Sequence, residues 1–556
     1  MSLLVDLFGY LSIVLHGLTI VAQSMTLGGV LFLVLLARPF AHRLAEGDAI
    51  LRGATRITLY SAVAMTVVEI LGNGLQVAVL MQTVDLPFLD VMQANFAVAA
   101  LVKVACAALI VLLLATRGAP DRATGLVLLA LGAVELAAAT MTTHAAARLQ
   151  PSLLLLAVEW LHQLGAAIWI GGIPCFVLAL ARVQDGAGWR LVGARFSRLS
   201  MAGVGCILLS GTTMFIVYIG SLPAFYGTAF GVMVGAKIAM FGMLLALGAA
   251  NFLVTERLRR DPRASVVRMK RFAEVEIGIG FSIFFAAASL TSVPPAVDLT
   301  QDRVTWQEIL QRNAPVWPRL ASPDHDALAI PELQAQLDRE AQQHHQAVSP
   351  ASVPGDGVLP PRNAEDIAWS EYNHHWAGLF VILIGGLALL SQASARRPWL
   401  RWARHWPLVF IGLALFLLLR SDPEVWPLGD EDFMAAFRDV EVLQHRIFVV
   451  LILVFALFEW AVRTGRLRSQ RAALVFPLMV AAGGALLLTH SHQIANVKDA
   501  MLIELTHTPL AIAGIAAGWA RWLELRLPGK GSRIAGWTWP LCFVLVGVIL
   551  LWYREA

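Results

Sequence analysis

Histidine is the residue type through which this sequence could do chemistry. Fourteen occur in 556 residues, and several stand at spacings that suit a metal. Met141 and His144, three residues apart on one helix face, pair a thioether with an imidazole. That donor set suits copper, and Cu(I) in particular. Glu504 and His507 repeat the spacing with an oxygen donor in place of sulfur. His490-Ser491-His492 puts two rings on alternate residues, which can turn to one site where a helix unwinds. His445 lies one turn beyond Glu441, and Asn373-His374-His375-Trp376 sets two more rings side by side. A ligating His usually gives its second N–H to a carboxylate or carbonyl, a role open to Glu441 or Glu504. His162 stands inside the apolar run 153–180, followed by Trp169 and Gly171-Gly172; His16 stands inside the first apolar run. A polar ring in hydrocarbon is costly, so it is read as functional unless a neighbouring carbonyl accounts for it.

The elements that must position these rings are membrane spans. The chain is 58% apolar and 14% charged, a balance that excludes a soluble globular protein. An apolar run of ~20 residues crosses the hydrocarbon as a helix. Fourteen such runs predict an all-α polytopic membrane protein whose first partner is the lipid bilayer. The first run, 8–37, is too long for the core of a cleaved leader and reads as a span. A net charge of +4 leaves no nucleic-acid footprint. Lys and Arg cluster in alternate connections, from Arg38, Arg43, Arg52 and Arg56 to Arg526, Lys530 and Arg533, and the short connections between carry few. The positive-inside rule then predicts that both termini lie outside the cytoplasm. On that orientation only His42 and His405 face the cytoplasm. The other twelve lie in outer loops or the outer parts of spans, which suits a transition metal arriving from outside.

The spans fall into two groups. Residues 1–295 read as an eight-span unit containing a parallel repeat, 1–150 and 151–295. Asn95–Lys103 resembles Ala229–Lys237, Ala137–Thr142 resembles Ala286–Thr291, and Leu27-Gly28-Gly29 answers Ile170-Gly171-Gly172. Residues 296–368 carry eleven Asp/Glu against five Lys/Arg and read as a partly helical extracytoplasmic loop. Residues 369–556 read as a six-span, His-rich unit. Glu69, Lys103, Glu135 and Lys237 fall in mid-span, where pairing is expected: Lys103 with Glu69 or Glu135. Glu274 and Glu276 are expected near the cytoplasmic face, solvated or paired with Arg271. Cys106, Cys175, Cys206 and Cys542 are isolated in apolar runs and form neither a disulfide framework nor a thiolate site.

The run Leu161-His162 … Ala167-Ile168-Trp169-Ile170-Gly171-Gly172 resembles the copper resistance protein D family. Lys237, Asn251, Arg271 to Glu276 and Pro294-Pro295 follow in that family's order. The resemblance covers residues 153–296, and the first four spans through the repeat. It implies an inner-membrane protein that takes copper from the periplasm into or across the membrane, beside a periplasmic CopC-like carrier. There is no P-loop and no aspartyl-phosphate segment, so the chain reads as a non-enzyme whose transport is passive or ion-driven. The expected copper ligands are His162, His16, His144 and Met141 in the first unit. In the second they are His374, His375, His445, His490, His492, Glu504 and His507. Two alternatives stand beside this reading. One is a b-type haem held by outer-leaflet His pairs such as His445 with His490 or His507. The other is a copper-binding sensor or assembly factor that moves nothing.

Overall fold

The computed structural model describes residues 7–147, 153–261, 263–344, 350–351, 362–394, 397–429, 433–489 and 497–555. Every regular element among them is helical. In hydrocarbon the backbone must satisfy its own N–H and C=O groups, and a helix does so within one segment. Among the described residues thirteen helices are long and apolar enough to cross a membrane, with one shorter apolar helix among them. In chain order they are α1 (Phe8–Ala41), α2 (Gly47–Thr83), α3 (Asn95–Arg117), α4 (Arg122–Thr140), α5 (Leu153–Arg182), α6 (Gly186–Tyr218), α7 (Ala229–Arg260) and α8 (Val267–Leu290). Then follow α9 (Ala364–Ala393), α10 (Pro398–Arg420), α11 (Glu441–Arg463), the shorter α12 (Ala472–Leu487), α13 (Val497–Arg526) and α14 (Gly529–Leu551). Leu71, Leu126, Leu209 and Ile216 are more than half exposed along these helices. Apolar faces of that extent need lipid to cover them. The protein is an all-α polytopic membrane protein.

Polar side chains set several helix starts, where four backbone N–H groups lack partners. The Asp121 carboxylate accepts from Thr124 N–H at the start of α4, and Asp439 accepts from Glu441 and Val442 at the start of α11. Asn363 and Asp366 form a capping box that opens α9.

The chain divides into two compact units, one of residues 11–225 and 233–300, the other of 1–10, 226–232 and 301–556. In the first, α2 packs on α3, α3 on α4, α5 on α6, and the second half of α5 on both α2 and α8. α1 and α5 cross at glycines. A Cβ on Gly28 would lie 2.3 Å from the Ala167 carbonyl oxygen, and one on Gly171 would lie 1.8 Å from the Ser24 carbonyl oxygen. Each of these helices widens into a π turn, Leu33–Ala37 in α1 and Ala167–Gly171 in α5, the latter at the crossing itself. Gln23 donates to Gln163 at 3.1 Å and joins the same two helices through a polar contact.

In the second unit α9 to α14 form a closed ring: each helix packs on the next, and α14 packs back on α9. Small residues permit the tight contacts. A Cβ on Gly518 would meet Ala481 N at 2.6 Å, and one on Gly378 would meet the Gly547 carbonyl oxygen at 2.8 Å. One end of the ring is filled by Trp406, Phe410, Phe455, Phe476, Trp539 and Phe543, packed edge to face. Beyond them Arg521 bridges Glu459 and Glu524 at 2.8 and 2.6 Å, and Arg463 joins Glu459 at 2.6 Å. The connection before α9 holds helices Trp306–Arg312 and Ala329–His344. Arg312 donates to the backbone oxygens of Arg554 and Glu555, and Glu308 pairs with Lys498 at 3.1 Å.

Candidate metal centre

In the first unit the rings are dispersed. His162 of α5 bonds through Nδ1 to the Ser210 hydroxyl of α6 at 3.0 Å. That hydroxyl gives its own proton to the Cys206 carbonyl at 2.6 Å. The hydroxyl therefore accepts from Nδ1–H, and Nε2 carries the lone pair that a metal would meet. His16 of α1 sits within electrostatic range of Lys103. Near the far end of α4, Met141 is exposed, while His144 Nε2 lies 3.4 Å from the Leu290 carbonyl and its ring packs edge-on against Tyr218.

The mid-span charges of this unit are accounted for more fully. Lys103 pairs with Glu69 at 2.5 Å, both buried. Lys237 lies within electrostatic range of Glu159, whose carboxylate accepts from Tyr218 at 3.4 Å. Glu274 pairs with Arg271. Glu276, expected at a wetted face, is instead buried; it accepts from Asn251 at 2.6 Å and from the Trp169 indole at 3.3 Å. Trp169, Asn251 and Glu276 are thus one interior contact that ties α5, α7 and α8, with the Trp169 ring edge-on to Phe241.

The second unit gathers its rings. His374 of α9, His445 of α11 and His507 of α13 line one cavity of about 500 Å³ inside the ring. All six helices contribute to its wall, and its depth is apolar, with Phe410, Phe455, Met479, Leu510 and Phe543. Its lining also carries Asp422, Asp439, Glu441 and Glu555. The His374 and His507 ring centroids are 6.1 Å apart. In each, Nδ1 bonds to the carbonyl one turn back, Ser370 at 2.8 Å and Ile503 at 3.0 Å. A carbonyl only accepts, so Nδ1 holds the proton and Nε2 holds the lone pair, the tautomer a metal ligand needs. His445 gives Nδ1–H to Asp422 at 2.6 Å, with Arg446 3.7 Å from the same carboxylate. Burial alone would raise the Asp422 carboxyl, but His445, Ser421 and Arg446 beside it hold it below the ordinary carboxylate value.

The remaining candidates divide. Nδ1 of His375 accepts from Arg319 N–H at 2.7 Å, and its Nε2 donates to the Tyr553 carbonyl at 3.0 Å. Both nitrogens serve the backbone, which leaves none for a metal. Glu504 accepts from Thr508 at 3.1 Å within its own helix. His490 and His492 lie outside the described residues. Among the described residues no three His, Cys, Asp or Glu stand close enough together to hold a metal ion. Asp422 and Glu555 are the site residues that spacing did not reveal. Asp422 follows α10 and sits 23 residues before His445. Glu555 accepts from Ser370 and Tyr553 beneath the stacked His374 and Tyr553 rings.

Residues 190–290, which span most of α6, all of α7 and all of α8, match the family model described as Copper resistance protein D. They include Ser210, Lys237, Asn251 and Glu276, the partners just described for His162, Glu159 and Trp169. A protein named Copper transport protein CutJ, from Bacillus subtilis (strain 168), is 33% identical over 163 residues. That alignment spans 29% of this chain and 29% of the relative. No solved structure matches. Over residues 190–290 this chain is similar to the copper resistance protein D family.

Proposed function

We propose that this protein handles copper at the bacterial inner membrane, accepting it from the periplasmic side at the mouth of the α9–α14 ring and moving it into the membrane. The convergence of His374, His445 and His507 from three helices on one cavity carries this reading. His374 and His507 are the proposed ligands. Two imidazoles of fixed tautomer suit Cu(I), and the acidic groups of the lining favour a cation. His445, tied to Asp422, is the proposed relay. A CopC-like carrier is the proposed donor, and His162 a proposed second station in the first unit.

Copper binding by the purified protein tests this, measured by competition with a chromophoric Cu(I) chelator. The variants are His374→Ala, His507→Ala and, as a control, His375→Gln. Loss in the first two with retention in the third is expected, together with loss of copper uptake into proteoliposomes. Unchanged binding in the His374→Ala, His507→Ala double variant would overturn the ligand assignment. A Soret band in the purified protein would replace copper by haem at these rings.

A further inference from the structure

Glu135 lies in the body of α4 with 0% of its surface exposed, and neither carboxyl oxygen has a hydrogen-bond partner. α4 packs on α3 and α5. From α3 Lys103 faces Glu135, with Cys106 beside it; from α2 Glu69 faces it; and His16 of α1 stands within range of Lys103. α5 carries Glu159 and His162, which are engaged with Tyr218 and Ser210. The one cation of this cluster is already committed, since Lys103 holds Glu69 at 2.5 Å. A second carboxylate here would have neither a countercharge nor a donor, and hydrocarbon does not tolerate that.

The other half of the unit supplies a comparison. There Lys237 faces one carboxylate, Glu159, and the charges balance. When Ala137–Thr142 is aligned with Ala286–Thr291, the position that answers Glu135 is Phe284. The second half has no acid at the position of Glu135.

We propose that Glu135 is a proton-binding site: a neutral carboxylic acid beside the Lys103–Glu69 pair that loses its proton when Lys103 turns from Glu69 to it. In this exchange one O–H bond of Glu135 breaks, its proton leaves the cluster, and Lys103 becomes the countercharge of the new carboxylate. Glu69, released from Lys103, takes up a proton, so the cluster stays neutral. The site thus passes a proton from one side of Lys103 to the other. The coupling of that passage to copper movement rests on the transport reading above; the proton site itself does not.

Two measurements on the full-length protein in detergent test the site. The apolar carbodiimide dicyclohexylcarbodiimide reacts with protonated carboxyls in apolar surroundings. Mass spectrometry should find an adduct on the peptide containing Glu135, formed more slowly as pH rises and absent in Glu135→Gln. No adduct on that peptide, an adduct indifferent to pH, or protection by sodium ions would overturn the proposal, the last in favour of an alkali-cation site. Glu135→Gln exchanges one neutral polar group for another, so its melting temperature should match the wild type; a large loss would mean an ionised, paired carboxylate and would also overturn it. In proteoliposomes an imposed pH gradient should change copper flux in the wild type and not in Glu135→Gln. Flux indifferent to the gradient in a protein whose Glu135 does label would refute the coupling and leave the proton site standing.

Discussion

A single hydrogen bond decides whether each imidazole here could meet a metal. His375 gives both nitrogens to backbone groups, whereas His374 and His507 each turn Nδ1 to a carbonyl of their own helix. Neighbours in sequence thus have different fates, because the Cα positions of adjacent helical residues point about 100° apart. Glu555 acts on the same cluster from below. Burial would raise its carboxyl, but hydrogen bonds from Ser370 and Tyr553 and the nearby Arg362 guanidinium hold it down at about 2, against an ordinary 4.5. A depressed carboxyl stabilises the fold above its ordinary value and loses that contribution as pH falls through its folded value. The shift corresponds to on the order of 3 kcal/mol. Glu555→Gln should therefore unfold at a lower temperature than the wild type at neutral pH, and the gap should close as pH falls from about 4.5 to about 2. A gap of constant size across that range in thermal unfolding scans would show that the Glu555 charge contributes nothing.

Helix crossings, more than individual contacts, hold the candidate residues of the first unit in place. The Gly28 and Gly171 crossing brings α1 and α5 close enough for backbone atoms to meet, and the π turn Ala167–Gly171 shifts the helix register where Trp169 turns toward Glu276. A methyl group on Gly171 has no room, since the Ser24 carbonyl fills its place. Gly171→Ala should lower stability by about 1–3 kcal/mol or more, the usual range for overpacking. Gly205→Ala on α6 should be nearly neutral, because nothing lies within 4 Å of a Cβ there. Equal melting temperatures for these two variants in detergent would refute the crossing. Much of this level was legible in the sequence: apolar length gave the spans, and the paired glycine motifs marked positions of close approach. The partners were not. Trp169 and Glu276 are 107 residues apart, and Asp422 lies in the connection after α10 while His445 is on α11, so no periodicity links them. Glu276 reads as a wetted residue from its place near a basic cluster. Only the fold reveals that α5 and α7 enclose it.

At the scale of the whole molecule, the proposed copper path follows from how the six-helix ring is filled. It is packed shut at one end by aromatic rings and the Glu459–Arg463–Arg521–Glu524 network, and it holds its cavity toward the Asp422 end. That polarity separates two functions a metal-handling protein must perform, capture at a polar mouth and passage through an apolar interior. Their separation can be tested without touching a ligand. Gly483 of α12 faces the cavity, and a Cβ there would find its nearest neighbour, a ring carbon of Phe448, at 4.0 Å. Gly483→Leu therefore has space to fill the cavity while leaving the ring contacts intact. If copper binds at the mouth and travels through the interior, this variant should bind Cu(I) with wild-type stoichiometry yet deliver several-fold less copper into proteoliposomes. Loss of binding along with flux would place the metal deep in the cavity, below the His374–His507 pair. Wild-type flux would mean that copper does not pass through the ring at all, and the first unit, with His162 and the Lys103 cluster, would have to carry it.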